Sequence, residues 1–207
     1  RWFQLLPGGL LHSNIGACGL FAAVSGSSVA TAAAIGTVAL PELEKRQYDR
    51  KLSAGSLAAG GVLGPLIPPS IAFIIYGVIT ETSIVRLFMA GVFPGLLLTG
   101  MFMAYIGVRV VLDRTLVPKE EPESWRSRLV GSVEILPIAF LMFVVLGGIY
   151  AGVMTPTEAA AVGAFGALLM AAAFRMLNRD VLWEALKEAT RSTAFIMFII
   201  VGAMLLG

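Results

Sequence analysis

Charge is the scarcest property of this chain. Only 14% of its 207 residues are charged, where soluble domains carry about a quarter, and 57% are hydrophobic. A soluble globule would need charges along every surface helix. Here they gather in a few clusters between long apolar runs, which excludes that class and points to a lipid-embedded chain. The single cysteine, Cys18, lies within an apolar stretch; an internal disulfide, a CxxC pair and a cysteine zinc cluster are excluded, and the residue reads as a small buried hydrophobe. The single histidine, His12, follows Pro7, Gly8 and Gly9 with no carboxylate or thiol near it in sequence, so it reads as an interfacial structural residue. SGSS lacks the glycine spacing of a nucleophile elbow, and with one distant histidine a Ser/His hydrolase is excluded. No Walker motif is present, so ATP is not hydrolysed by this chain. The net charge of +2 comes from loops and describes no nucleic-acid surface. No enzyme chemistry, catalytic residue, cofactor or metal cluster is expected. The chain starts at Arg1 without a charged leader and stops at Gly207 inside an apolar run, which reads as a fragment.

What is present is a series of apolar segments, roughly Asn14 to Leu40, Leu57 to Ile79, Leu87 to Leu112, Val133 to Val153, Thr157 to Phe174 and Ser192 to Gly207. About 20 apolar residues span a bilayer. Cations in alternate connectors divide unevenly. One face collects Lys45, Arg46, Arg50, Lys51, Arg114, Lys119, Arg126, Arg128, Arg175, Arg179, Lys187 and Arg191, the other only Arg86. By the positive-inside rule the first face is cytoplasmic. VLWEALKEA, Val181 to Ala189, places Leu182, Trp183, Leu186 and Ala189 on one helical face and Glu184, Lys187 and Glu188 on the other, the pattern of a helix lying along the membrane surface. Ser124 to Leu129, with Trp125 beside Arg126 and Arg128, is expected to do the same.

Two places break the spanning pattern. In FAAVSGSSVATAAAIG, Phe21 to Gly36, SGSS interrupts two runs of small or apolar residues, each of about 11 residues and so about 16 Å long, half a bilayer. A hairpin returning to the cytoplasmic side fits, as does one continuous span of small residues packed on its neighbours. In GGVLGPLIPPS, Gly60 to Ser70, Pro65, Pro68 and Pro69 cannot donate, so the carbonyls of Gly61, Gly64 and Pro65 lose their helical partners. Backbone of that kind is tolerated at membrane depth only where protein buries it or a wet cavity receives it, and broken helices mark binding sites in secondary transporters; a proline kink is the plainer alternative. TPTE, Thr155 to Glu158, reads as a capping box with Pro156 at the first helical position rather than an intramembrane carboxylate. On the hairpin alternative, a cation is expected between the tip hydroxyls of Ser25 and Ser27 and the freed carbonyls of Gly64, Ile67 and Pro69, because oxygen ligands suit a hard ion. The first half-helix ends near Ser25 with unpaired carbonyls and the second begins near Ser28 with free amides, so Ser28 and Thr31 are the expected substrate contacts.

LPGGLLHSNIGACGLFAAVSGSSVATAAAIG, then LGPLIPPSIAFIIYGVITETSI, then GGIYAGVMTPTEAAAVGAFGALL resemble, in order and spacing, the large membrane subunit of TRAP transporters. The resemblance covers essentially the whole chain. It implies an all-α integral membrane protein of the bacterial cytoplasmic (inner) membrane, a multi-helix bundle with a re-entrant helical hairpin and a proline-broken helix, forming one half of an inverted-repeat elevator transporter. It further implies sodium-driven symport of an organic acid, such as a dicarboxylate or sialic acid, with a periplasmic substrate-binding protein and a small membrane subunit as partners. On that reading residues 1–79 are a transport-core half, with the hairpin at about 14–40 and the broken helix at about 57–79. Residues 80–191 are spanning helices with cytoplasmic interfacial arm segments, and 192–207 begin a second repeat. Many members of that family carry an acidic residue at the position of Thr31. The alternative function is a channel or scaffold subunit of another membrane complex.

Overall fold

The computed structural model describes residues 6–118 and 135–206, and among them every regular element is helical. In chain order these are α1 (Leu10–Ser25), α2 (Ser28–Lys45), α3 (Arg50–Val62), α4 (Ile71–Ile79), α5 (Ile84–Leu112), a 3-10 turn (Arg114–Leu116), α6 (Leu136–Tyr150), α7 (Pro156–Ala173) and α8 (Arg179–Leu206). The chain divides into two compact units, Arg1–Pro156 and Thr157–Gly207.

In the first unit α1, α2 and α3 pack on one another, and α5 lies against α1, α3 and α4. Their shared core is Leu11, Ile15, Ala22, Leu43, Tyr48, Leu63, Ile106 and Val110. The local alternative of one continuous span through SGSS is therefore not adopted: the chain reverses at Gly26 and Ser27, and α1 and α2 form a helical hairpin. With 16 and 18 residues, its arms are about 24 and 27 Å long, more than the half-bilayer length read from the apolar runs alone. The excess is helix continued into flanking sequence, Leu10 to Ser13 and Pro41 to Lys45.

The open end of this hairpin is tied down by polar contacts. Gly9 gives α1 no side-chain cap, and the Tyr48 hydroxyl instead accepts from the Leu10 amide at 3.2 Å. Asp49 caps α3 by accepting from the Leu52 amide at 2.8 Å, while its own amide donates to the Leu116 carbonyl at 3.0 Å. These bonds satisfy helix-end groups that the helices leave unpaired. Arg46 donates to Glu42 one turn earlier, 2.7 Å away, and this contact holds the Glu42 carboxyl below its ordinary value.

The second unit holds α7 and α8. α7 begins at Pro156 with Glu158 in its first turn, as the TPTE string predicts for a helix start. The expected surface helix at Val181 to Ala189 and the expected span from Ser192 are not separate elements: α8 runs unbroken for 28 residues. The connecting TRSTA contains neither glycine nor proline, so nothing removes a hydrogen bond there and the helix propagates. Asn178 caps it, its side-chain oxygen accepting from the Val181 amide at 2.7 Å. The expected surface stretch at Ser124 to Leu129 lies outside the described residues.

Among the described residues three helices, Ile84–Leu112, Pro156–Ala173 and Arg179–Leu205, are long and apolar enough to cross a membrane. Many of their large side chains face outward, with Phe93 74% and Phe198 80% exposed. A water-soluble surface would not carry such rings in rows.

Candidate cation and substrate site

Both irregular places predicted from the sequence meet in the first unit. α1 stops at Ser25, Gly26 takes a left-handed conformation at φ 60°, and α2 starts at Ser28. Glycine suits that conformation because a Cβ would strain it. Below the tip, α3 ends at Val62, and Leu63 to Ser70 run in turns until α4 begins at Ile71. The proline string thus breaks the helix over several residues rather than kinking it.

The hairpin tip sits directly on this break. A methyl group placed on Gly64 would lie 2.7 Å from the Ser27 carbonyl carbon and 2.9 Å from the Ser28 nitrogen. One on Gly26 would lie 3.3 Å from the Pro69 carbonyl oxygen. Any side chain at Gly64 would push the two segments apart. From the other side α5 closes on the break, where a methyl on Gly95 would meet Ile67 Cγ1 at 3.0 Å and one on Gly91 the Leu66 carbonyl at 3.0 Å.

The tip is braced by its own hydroxyls. Thr31 Oγ1 donates to the Ser27 carbonyl at 2.7 Å. Its one proton is then used, so in its 2.9 Å contact with Ser25 Oγ it accepts. Ser25 Oγ in turn accepts from the Ser27 amide at 3.4 Å. The result is a ring that holds Ser27 at both its amide and its carbonyl. Thr31 is fully buried, and its backbone amide also donates to the Ser27 carbonyl at 3.0 Å. Ser27 Oγ accepts from the Ala30 amide at 3.3 Å, acting as the N-cap of α2.

Of the three carbonyls predicted to lose partners, two recover one. Gly61 accepts from the Gly64 amide at 3.1 Å, and Pro65 accepts from the Ser70 hydroxyl at 2.6 Å. Ser70, fully buried, was not anticipated; its only sequence signal is its place after the Pro68–Pro69 pair. The carbonyls of Gly64, Ile67 and Pro69 receive none of the hydrogen bonds of this region. On the tip, the carbonyls of Ala23, Val24 and Ser25 likewise receive none from the turn, and the amides of Ser28 and Val29 donate none. Unpaired carbonyls at a helix C-terminus attract a cation and unpaired amides at an N-terminus attract an anion. The arrangement can therefore hold opposite charges next to each other. Ser25, Ser27, Ser28, Gly64 and Pro69 are brought to one locus. Ile67 lies on the same loop with its side chain turned to Gly95, and the Thr31 hydroxyl is committed to the tip. Among the described residues no group of histidine, cysteine or carboxylate side chains could hold a metal ion.

Residues 5–207 match the family described as the tripartite ATP-independent periplasmic transporter, DctM component. The chain belongs to this family. It is 41% identical over 201 residues to the C4-dicarboxylate TRAP transporter large permease protein DctM of Pseudomonas aeruginosa, covering 97% of this chain and 47% of that protein. It is 36% identical over 202 residues to the 2,3-diketo-L-gulonate TRAP transporter large permease protein YiaN of Escherichia coli, covering 95% and 46%. It is 34% identical over 206 residues to the sialic acid TRAP transporter large permease protein SiaM of Vibrio cholerae, covering 98% and 47%. The chain thus spans about half the length of these relatives, which are TRAP transporter permeases and not enzymes. Membership in the DctM family agrees with the resemblance carried by the three sequence strings and with a membrane location for the apolar helices.

Proposed function

We propose that this chain supplies half of the transport core of a sodium-coupled importer of small organic acids in a bacterial inner membrane. The observation that carries the reading is the seating of the hairpin tip on the proline-broken helix. It places the unpartnered carbonyls of Gly64 and Pro69 against a tip carrying Ser25 and Ser27. Sodium, a hard cation, fits oxygen donors of this kind, and an organic carboxylate fits the free amides at Ser28 and Val29. Transport in this reading involves no covalent step; binding energy biases the inward and outward positions of the core. The hairpin enters from the cytoplasmic side and returns to it, and the core moves as an elevator. A periplasmic binding protein delivers the acid, a small membrane subunit accompanies the large one, and a second repeat completes the site. Named relatives that handle C4-dicarboxylate, 2,3-diketo-L-gulonate and sialic acid support an acid as substrate.

Attraction between ion and carboxylate, together with ordering of the tip by the ion, couples the two fluxes. The test is uptake by the reconstituted full-length complex with its binding protein, supplied with a panel of organic acids, with and without a sodium gradient. Acid uptake that follows the sodium gradient is expected. Uptake unaffected by sodium removes the coupling, and free passage of unrelated solutes supports a channel instead.

A further inference from the structure

A second polar cluster lies between α1 and α3, on the stretch of α1 remote from the tip. Asn14 on α1 is 4% exposed, and Ser53 and Ser56 on α3 are 2% and 4% exposed. Asn14 Nδ2 donates to Ser56 Oγ at 2.8 Å, and Ser56 Oγ donates to the Ser53 carbonyl at 2.8 Å. The single proton of Ser56 is used in that second bond, so Ser56 can only accept from Asn14, which fixes which end of the Asn14 amide faces it. Two atoms are then left over. Asn14 Oδ1 and Ser53 Oγ are both closed off from solvent and both without a hydrogen-bond partner.

We infer that these two atoms share a buried water molecule, which joins the hairpin to the first half of the broken helix. The chemistry of the pair selects the occupant. Asn14 Oδ1 can only accept and Ser53 Oγ carries a free proton, so one water can donate to the first and accept from the second. Ser56, which accepts from the Asn14 amide and donates to the Ser53 carbonyl, holds both residues in one cluster. Among the described residues no side chain bonds to either atom. A cation is disfavoured, since only two free oxygens are offered and no carboxylate takes part. Buried waters typically satisfy such leftover polar atoms, and the free-energy cost of leaving them bare is large in a low-dielectric interior. The bridge makes α1 and α3 one body, so the tip and the break keep their register.

Two measurements on the full-length transporter test this. A high-resolution map of the unmodified protein should contain an isolated peak at hydrogen-bonding distance from Asn14 Oδ1 and Ser53 Oγ. Ser53→Ala should remove the peak and lower the melting temperature by a few degrees equally with and without sodium. If Ser53 Oγ is bare, deleting it relieves an unsatisfied buried hydroxyl and the melting temperature rises or stays level; that result, or a map without the peak, overturns the inference. A peak with shorter, ion-like contacts that disappears when sodium is withdrawn overturns it too, in favour of a cation.

Discussion

The proposed site gives Ser27 a second duty beside its N-cap bond, and its substitutions separate the two. In the full-length transporter Ser27→Ala should weaken apparent sodium affinity about tenfold if one ion contact of about 1.4 kcal/mol is lost, read from the sodium dependence of uptake. The same change removes the N-cap bond to Ala30, at a cost of about 1 kcal/mol in helix stability, whereas glycine at a cap costs only a few tenths. Ser27→Gly should therefore match Ser27→Ala in sodium affinity while melting closer to the unmodified protein; unchanged sodium dependence in these and in Ser25→Ala moves the ion elsewhere. Thr31 is buried and acts on the tip through Ser25 and Ser27. Thr31→Val keeps its shape but opens the hydroxyl ring, and a several-fold loss in apparent affinity for both sodium and acid is expected, with Thr31→Ser restoring most of it. If Thr31→Val impairs acid binding alone, Thr31 touches the substrate directly. The serines, the prolines and Gly64 were legible in the sequence because each has a local signature. Ser70 and the Thr31 ring were not, because a hydroxyl's partner is chosen by how two separate segments meet.

At the scale of elements, the contact of hairpin and broken helix tolerates no side chain at Gly64. A Gly64→Ala methyl would have to displace the Ser27 peptide. This variant should insert normally and lose most uptake; wild-type transport by well-folded Gly64→Ala removes the tip-on-break contact from the mechanism. The end of α2 responds to pH in a definite direction. Arg46 lowers the Glu42 carboxyl below its ordinary value of 4.5, so this contact stabilises the folded end of α2 above that value and the stabilisation is lost as pH falls through the lowered one. Amide exchange near Arg46 should accelerate only under such acid conditions, and Glu42→Gln should abolish the change. The break and the start of α7 were readable from proline and capping patterns, whereas the small-residue pattern around SGSS fitted a hairpin and a continuous span alike. The continuity of α8 was misjudged because its surface-helix pattern and its apolar pattern overlap without a breaker, and helical propagation decides such a join.

For the whole molecule, the cation asymmetry predicts an orientation. Cysteines placed at 45, 119 and 187 should resist an impermeant thiol reagent in intact cells, while those at 86 and 155 should react. Equal labelling at 119 and 86 reverses the topology. The 207-residue chain alone should insert without transporting, because the proposed site needs a second repeat; sodium-dependent uptake by this chain in liposomes would show that half the relatives' length suffices. The sequence by itself determined the membrane class, the broken helix and the residue types available to bind an ion, since scarcity of charge, proline's missing donor and glycine's missing Cβ act on the chain locally. Only the tertiary structure decided that SGSS reverses the chain rather than continuing it and that Gly64 lies beneath Ser27. It also decided which freed carbonyls found new partners and which polar atoms between α1 and α3 were sealed in. Those outcomes depend on contacts between segments distant in sequence, where packing chooses among arrangements that local patterning leaves equal.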